Sequence, residues 1–379
     1  QRQQSVAPHL LRRLRDRGLR PIVQSEWFHA ISARLTPDEH AWVTRQSFVR
    51  RVRPVASGQY FVQSADLTPP LGASRAHLAR INAVAPLQRG LTGRGVRVGF
   101  LDASFGGLDH PAFASLRDDH RLAGLRDFTV PTQQGTHGYS VASVALGHAP
   151  ETLIGPAHGA TMLGATTEYT QFERNVEEDY FVAGLEWLTE RGADVVNVSI
   201  GYTRFDEGED SYAPSDLDGD TALPTRAVDR AAREGVTVVT SAGNNCCAEP
   251  KNCWYHVNAP ADADSTITVG AVRPDSSLAS FSSRGPTADG RIKPDVVVQG
   301  TQVVAAWKNG GYARVGGTSF ASPQVTGIVA QMLQVNPELG PMDVRRLLRQ
   351  TASQAQSPDT LRGWGVVNAD AAIRGAERS

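Results

Sequence analysis

The chain carries almost no excess charge: 38 Lys and Arg stand against 39 Asp and Glu, a formal net charge of −1 over 379 residues. With no basic excess and no nucleic-acid recognition motif, nothing points to a nucleic-acid partner. Cysteine is scarce. The three present, Cys246, Cys247 and Cys253, lie in one short segment, and an odd count in one loop argues against a tidy disulfide framework. No apolar run approaches the ~20 residues that a membrane-spanning helix requires. Glycine, by contrast, is plentiful at 36 residues, as expected where many tight turns join strands and helices. The length suits one large domain plus a small one.

The most informative stretch is Gly316-Gly317-Thr318-Ser319-Phe320-Ala321-Ser322-Pro323. It sets a serine behind a tight turn and ahead of an apolar, helix-like run. Such a turn exposes the hydroxyl, and a helix N-terminus favours developing negative charge. A lone serine after a glycine pair is ordinarily a turn residue or an N-cap. Three further segments supply what a nucleophilic serine needs. Gly95 to Asp102 reads as an apolar strand ending in a carboxylate. Gly135-Thr136-His137-Gly138 puts a histidine before a small-residue helix. Val236 to Asn244 is a β-branched strand running into Ala-Gly-Asn. Serine attacks only when a base takes its proton, and the base is oriented by a carboxylate. Asp102, His137 and Ser319 are the candidates for these roles. The side-chain amide of Asn244 and the Ser319 N–H are the candidate oxyanion donors.

These four segments, in this order, resemble the subtilisin-like serine peptidases, and the likeness runs from about Leu71 to about Ala372. Asp194 to Gly201 resembles the family's substrate-binding strand. Phe281-Ser282-Ser283-Arg284-Gly285-Pro286 and Lys293-Pro294-Asp295 match further landmarks. The resemblance implies that Ser199, Ile200 and Gly201 pair with an extended peptide. It also implies that Ser241, Ala242 and Gly243 wall a first specificity pocket, whose small residues suit apolar or aromatic side chains. Two departures stand out. Ala103 and Ser104 follow Asp102 where the family has a hydroxyl residue and glycine, which leaves open what supports the carboxylate. Tyr139 replaces a smaller residue and is expected to narrow the pocket wall beside His137.

Strands alternating with helical stretches predict an α/β fold: a doubly wound, mostly parallel sheet with helices on both faces, ligands lying at the carboxyl ends of the strands. The expected strands are Val96–Leu101, Thr161–Thr166, Asp194–Ile200, Val236–Ser241, Thr266–Ala271 and Asp295–Val298. The expected helices are Ser140–Leu146, Tyr180–Arg191, Ala222–Glu234, Ser319–Gln334 and Pro341–Thr351. This catalytic domain is assigned to residues 71–379.

Residues 1–56 read as a small α+β domain that resembles the family's propeptide. A helix is expected over Pro8–Arg17, with strands over Leu19–Gln24, Trp27–Leu35 and Phe48–Val52. Thr36-Pro37-Asp38-Glu39 has the spacing of a capped helix start. An unrelated N-terminal module is the competing reading. Residues 57–70 read as a linker, and the resemblance implies self-cleavage between about Arg53 and Pro70. The first residue is Gln and the N-terminus lacks an apolar signal core, so removal of a signal peptide and a secreted, periplasmic or cell-envelope location are expected.

Several features carry alternatives. Cys253 can pair with Cys246 or Cys247, all three can remain thiols, or they can hold zinc with His256. Asp216, Asp218 and Asp220 alternate around Gly219 at a spacing that suits calcium, but the twelve-residue helix–loop–helix pattern is missing and a solvated acidic loop is the reading the residues favour. No cofactor is required for the chemistry. His110, His148, His158 and His256 read as structural or exposed, Asp109 as a loop residue, and Glu168, Glu177 and Glu178 as cleft or surface charges. The sequence therefore predicts a secreted serine endopeptidase made as a self-processed zymogen. Its partners would be protein or peptide substrates and its own N-terminal segment. The rivals are an inactive scaffold on the same fold and a maturation protease of narrow specificity.

Overall fold

The computed structural model describes residues 6–33, 35–52, 65–66, 72–129, 135–169, 172–246 and 256–379. The N-terminal unit contains α1 (Pro8–Arg15), the antiparallel pair β1 (Pro21–Ser25) and β2 (Ala30–Ala33), and α2 (Pro37–Thr44). The expected capping box starts α2: Thr36 Oγ1 accepts the Glu39 N–H (3.3 Å), and Glu39 Oε2 accepts the Thr36 N–H (2.7 Å). Leu14, Leu19 and Val43 form a small core of its own, on which Ile31, Leu35, Trp42, Phe48, Val49 and Val52 pack. Residues 48–52 are not a strand as the sequence suggested. Val49 closes a turn onto the Gln46 carbonyl (3.0 Å), and the apolar side chains are partly buried without a ladder.

The following elements are β3 (Ala65–Asp66), α3 (Ser74–Arg80), α4 (Val84–Gln88), β4 (Arg97–Asp102), α5 (Ala114–Asp118), β5 (Leu122–Asp127) and α6 (His137–Leu146). Then come the short hairpin β6 (His148–Ala149) and β7 (Leu153–Ile154), β8 (Thr161–Thr166), α7 (Val176–Glu190), β9 (Val195–Val198), α8 (Leu223–Arg233) and β10 (Thr237–Ser241). The chain ends with β11 (Ile267–Val272), β12 (Val296–Gln299), β13 (Val303–Ala306), β14 (Tyr312–Val315), α9 (Ser322–Val335), α10 (Pro341–Thr351) and α11 (Ala369–Ala376).

Seven strands form one parallel sheet in the order β12-β11-β10-β9-β4-β8-β5. Strands β9 to β12 are buried residue by residue, which is why their sequences are near-continuous runs of valine, isoleucine and threonine and not alternating ones. One face is covered by the core that includes α6, α9, α10 and α11, and the other by the core of α7 and α8. At the edge, β5 exposes most of its residues, so its mixed sequence hid it from a periodicity argument. Residues 65–66, inside the expected linker, pair as β3 with β14. The rest of that linker lies outside the described residues. Among the described residues no helix is long and apolar enough to cross a membrane.

Candidate active site

Strand β4 delivers Asp102 at its carboxyl end, with side chain fully buried. His137 is the first residue of α6, whose N-terminus crosses the end of β4. The approach depends on Gly138: a Cβ there would collide with the Ser104 carbonyl and lie 3.1 Å from Asp102 Cβ. His137 Nδ1 lies 2.6 Å from Asp102 Oδ1, which also accepts the Ala103 N–H at 2.7 Å. A carboxylate can only accept from that ring nitrogen, so Nδ1 carries a proton and Nε2 is the basic nitrogen. Asp102 Oδ2 is buried and has no hydrogen-bond partner among the described residues. The support that the family draws from a neighbouring hydroxyl is supplied here by the Ala103 backbone, on one oxygen only.

Tyr139 does not narrow a pocket beside His137. Its ring is buried against Gly107 in the large core, where any Cβ at residue 107 would overlap it.

Ser319 sits in a single 3-10 turn, Thr318–Phe320, directly before α9. Its Oγ donates to the Ser199 carbonyl at 3.1 Å. The ring of the next residue, Phe320, lies 5.7 Å from the His137 ring, centroid to centroid. The serine is held from behind by Ser199, whose Oγ accepts from Asn197 Nδ2 (2.8 Å), donates to the Ser319 carbonyl (3.0 Å) and lies 3.0 Å from Ser322 Oγ. Thr326 Oγ1 donates to Asn197 Oδ1 (3.0 Å), so the first turns of α9 are pinned to the end of β9. Asn197 was missed by sequence reasoning, although one polar residue inside an otherwise apolar strand was a visible signal.

Asn244 follows the end of β10. Its Oδ1 accepts both the Thr318 N–H (2.8 Å) and the Thr318 hydroxyl (3.0 Å), and Thr318 Oγ1 in turn accepts the Gly243 N–H (3.2 Å). A backbone N–H can only donate, so the amide oxygen is fixed toward Thr318 and the NH2 is turned away from it. Within the turn, hydrogen bonding begins with Phe320 N–H to the Gly317 carbonyl (3.1 Å). The Ser319 N–H precedes that bond, as do the unpaired donors at any helix start. A fixed NH2 and a helix-start N–H are the two kinds of donor that an oxyanion requires.

Of the remaining candidates, Ser241 ends β10, while Ala242 and Gly243 are tied into the protein. The Ala242 N–H donates to Val269, and the carbonyls of Ala242 and Gly243 accept from Asn258 and Ser283. The Asn258 side chain is packed against Gly243 and accepts from Asn245 Nδ2 (3.1 Å). Ser199, Ile200 and Gly201 follow β9, with the Ser199 side chain behind the serine and the Ile200 side chain in the α7–α8 core. Asp218 spends its oxygens on its own turn, accepting from the N–H groups of Asp220 and Thr221 and from the Thr221 hydroxyl. Asp216 accepts from the Ala213 N–H. No group of three or more metal-ligating side chains occurs among the described residues.

Cys247 and Cys253 lie outside the described residues, and with them any pairing of the cysteines. Cys246 is buried. Asp109 is exposed, in a turn after β4. Glu168, Glu177 and Glu178, read from sequence as cleft or surface charges, are 2%, 0% and 1% exposed, so the surface reading is wrong.

Residues 93–365 match the model of the Subtilase family. Subtilisin DY of Bacillus licheniformis is 30% identical over 293 residues, covering 76% of this chain and 93% of that protein. Subtilisin BL of Lederbergia lenta is 32% identical over 313 residues, covering 78% and 97%. Among solved structures, the prenylagaramide maturation protease PagA superposes with a TM-score of 0.60 at 23% identity, covering 78% of this chain and 98% of its own, a likeness of fold. With the family model spanning most of its length and these relatives covered almost end to end, the chain belongs to the subtilase family of serine endopeptidases.

Proposed function

We propose that peptide hydrolysis runs through Ser319 as nucleophile, His137 as general base and acid, and Asp102 as the group that orients His137. The Asn244 amide and the Ser319 N–H stabilise the oxyanion. The observation that carries this reading is the 2.6 Å contact between His137 Nδ1 and Asp102 Oδ1. It fixes the tautomer whose Nε2 can take a proton from a hydroxyl. In this reading the Ser319 hydroxyl, which donates to the Ser199 carbonyl, turns to that nitrogen when it is activated. Attack on the substrate carbonyl gives a tetrahedral anion at the Asn244 amide. Its collapse leaves an acyl-enzyme while His137 protonates the leaving amine, and water then reverses the sequence. An extended substrate would lie along 199–201, with its first side chain against 241–243.

The N-terminal unit (1–56) acts in this reading as a propeptide of a secreted zymogen. Its support is the docking of β1 and the following turn on the catalytic domain. Glu186 on α7 accepts from the Ser25 hydroxyl and from the N–H groups of Glu26 (3.2 Å) and Trp27 (2.9 Å), while Arg226 on α8 lies 5.2 Å over the Phe28 ring. The cut between about 53 and 70, the linker 57–70 and the catalytic domain 71–379 belong to the same proposal. Intact-mass measurement of an active preparation tests it, since a wholly uncut chain contradicts self-processing. Calcium on the 216–220 loop would have to compete with the turn bonds of Asp216 and Asp218, and calorimetric titration of chelator-treated protein tests it.

A fluorophosphonate probe tests the central claim. Labelling of the parent that is lost in Ser319→Ala supports it. An unlabelled parent, or labelling that persists in the variant, favours an inactive scaffold.

A further inference from the structure

We infer that Asn258 is a specificity-determining residue of the first substrate pocket, and that its amide selects a short side chain carrying an acceptor oxygen over a large apolar or aromatic one. This rests on the reading above, in which the substrate's first side chain enters between segments 199–201 and 241–243.

Each of the two segments has a glycine where it meets Asn258. A Cβ on Gly201 would stand 3.0 Å from Asn258 Cβ and 3.4 Å from its Nδ2. A Cβ on Gly243, whose φ is +109°, would stand 2.6 Å from Asn258 Oδ1 and 2.9 Å from Nδ2. One amide side chain therefore lies against both segments and takes up the space that the two glycines leave. Ser241, Ala242 and Gly243 are small, and alone they suggest a roomy pocket for apolar or aromatic groups. Asn258 fills part of that room and makes it polar.

The backbone ties this residue to both flanks. The Asn258 N–H donates to the Ala242 carbonyl (3.1 Å). The next residue, Ala259, exchanges two bonds with Tyr202: the Tyr202 N–H donates to the Ala259 carbonyl (2.7 Å), and the Ala259 N–H to the Tyr202 carbonyl (3.1 Å). The side chain is held as well. Its Oδ1 accepts from Asn245 Nδ2 (3.1 Å), which also lies 3.4 Å from the Thr203 hydroxyl, and the Asn245 N–H donates to Ser283 Oγ (3.3 Å). Asn258 is 7% exposed. With the oxygen engaged, the NH2 is the polar group left over, and it donates to none of the described residues. An NH2 can only donate. The hydroxyl of a serine or threonine, or the carboxamide oxygen of an asparagine, would satisfy it. A leucine or phenylalanine would either push Asn258 off Asn245 or bury the NH2 without a partner, and a site built to hydrogen-bond discriminates strongly against a group that cannot.

The test is kcat/KM on chromogenic peptides that differ only in the residue before the scissile bond, which is Asn, Leu or Phe, for the parent, Asn258→Gly and Asn245→Ala. The parent is expected to favour Asn over Leu and over Phe by about 10-fold or more. Asn258→Gly empties the space and removes the donor, so the Asn peptide should slow, the Leu and Phe peptides should quicken, and the order should reverse. Asn245→Ala frees the Asn258 oxygen and should shrink the parent's ratio in the same direction. A merely structural role would lower the melting temperature and slow all the peptides alike, leaving the ratios unmoved. Where Asn258→Gly fails to fold, the parent's own ratio and that of Asn245→Ala still decide. A parent that cleaves the Leu or Phe peptide better than the Asn peptide, or ratios that are the same in the parent and in every folded variant, would overturn the inference. Fluorophosphonate labelling alongside separates the two claims. A parent that is neither labelled nor active on any peptide defeats the triad reading, whereas a labelled parent with the opposite preference defeats only the role of Asn258.

Discussion

The hydroxyl of Ser319 is donated to the carbonyl oxygen of Ser199, 3.1 Å away, and the Ser199 hydroxyl is donated back to the Ser319 carbonyl at 3.0 Å. This reciprocal pair locks the turn before α9 to the end of β9 and engages the hydroxyl of the proposed nucleophile.

Ser199→Ala keeps the backbone carbonyl but removes the hydroxyl that ties Asn197, Ser319 and Ser322 together. Leaving buried polar groups unsatisfied costs about 1–3 kcal/mol. The expected result is a lower denaturation midpoint and a reduced kcat with little change in KM, since the loosened group acts on the chemical step. Chemical denaturation and steady-state kinetics check both. A loss confined to KM would place Ser199 in substrate binding instead.

Asn244→Ala removes an amide whose oxygen is anchored by Thr318 and whose NH2 is the proposed oxyanion donor. Loss of one such donor typically lowers kcat by about 10²–10³-fold. The same decrease is expected here, with KM nearly unchanged and probe labelling of Ser319 slowed but not abolished. Steady-state rates of the purified variant against the parent are the measurement. A kcat within a few-fold of the parent would remove Asn244 from the proposed machinery.

Glutamates drawn wholly or partly into the fold make stability depend on pH. Glu168 is raised from 4.5 to about 8 and Glu173 to about 9, both chiefly by burial. A group whose pKa is raised on folding contributes stability that is complete below its unfolded value and is lost as pH rises through the folded one. The melting temperature is therefore expected to fall as pH rises from about 4.5 to about 9. The fall should be shallower in Glu173→Gln. Calorimetric scans across that range test the sign: a melting temperature rising over it would show that these carboxyls are ionised in the fold.

The triad candidates were legible in the sequence because the chemistry demands particular residue types at strand ends and helix starts. Strands β9 to β12 were legible because burial on both faces forces β-branched runs. Tyr139 was misread because local spacing does not say on which side of a helix start a ring will pack, and here Gly107 leaves it room in the core. The glutamates were misread for a related reason. A Glu-Glu pair in the first turn of a helix looks solvated, and only the tertiary fold brings the Tyr212 hydroxyl to the Glu178 carboxyl and the Tyr202 hydroxyl to that of Glu168. The hairpin β13–β14 was missed because its strands are four residues each and partly alanine.

Asp295 offers the largest single effect on stability. It is buried at the start of β12, and its Oδ1 accepts from Arg345 Nε and Arg349 Nε, both at 2.7 Å. Its Oδ2 accepts from the Thr268 N–H (2.8 Å) and from Lys293 Nζ (3.1 Å). Burial would raise this carboxyl, but Arg345, Lys293, Arg349 and the Thr268 N–H together hold it far below the usual range. Lys293 is fully buried, and burial pulls it down to about 7. Its nitrogen nevertheless donates to three acceptors, the Thr266 carbonyl, Thr268 Oγ1 and Asp295, which requires the ammonium form. Three cations thus depend on one carboxylate. Asp295→Asn leaves them uncompensated, and breaking a buried pair from one side typically costs about 3–5 kcal/mol. Lys293→Met removes one cation and leaves Asp295 its two arginines, so it should cost less. Guanidinium unfolding of both variants at neutral pH gives the order, and a Lys293→Met protein less stable than Asp295→Asn would show that the lysine, not the carboxylate, anchors the cluster.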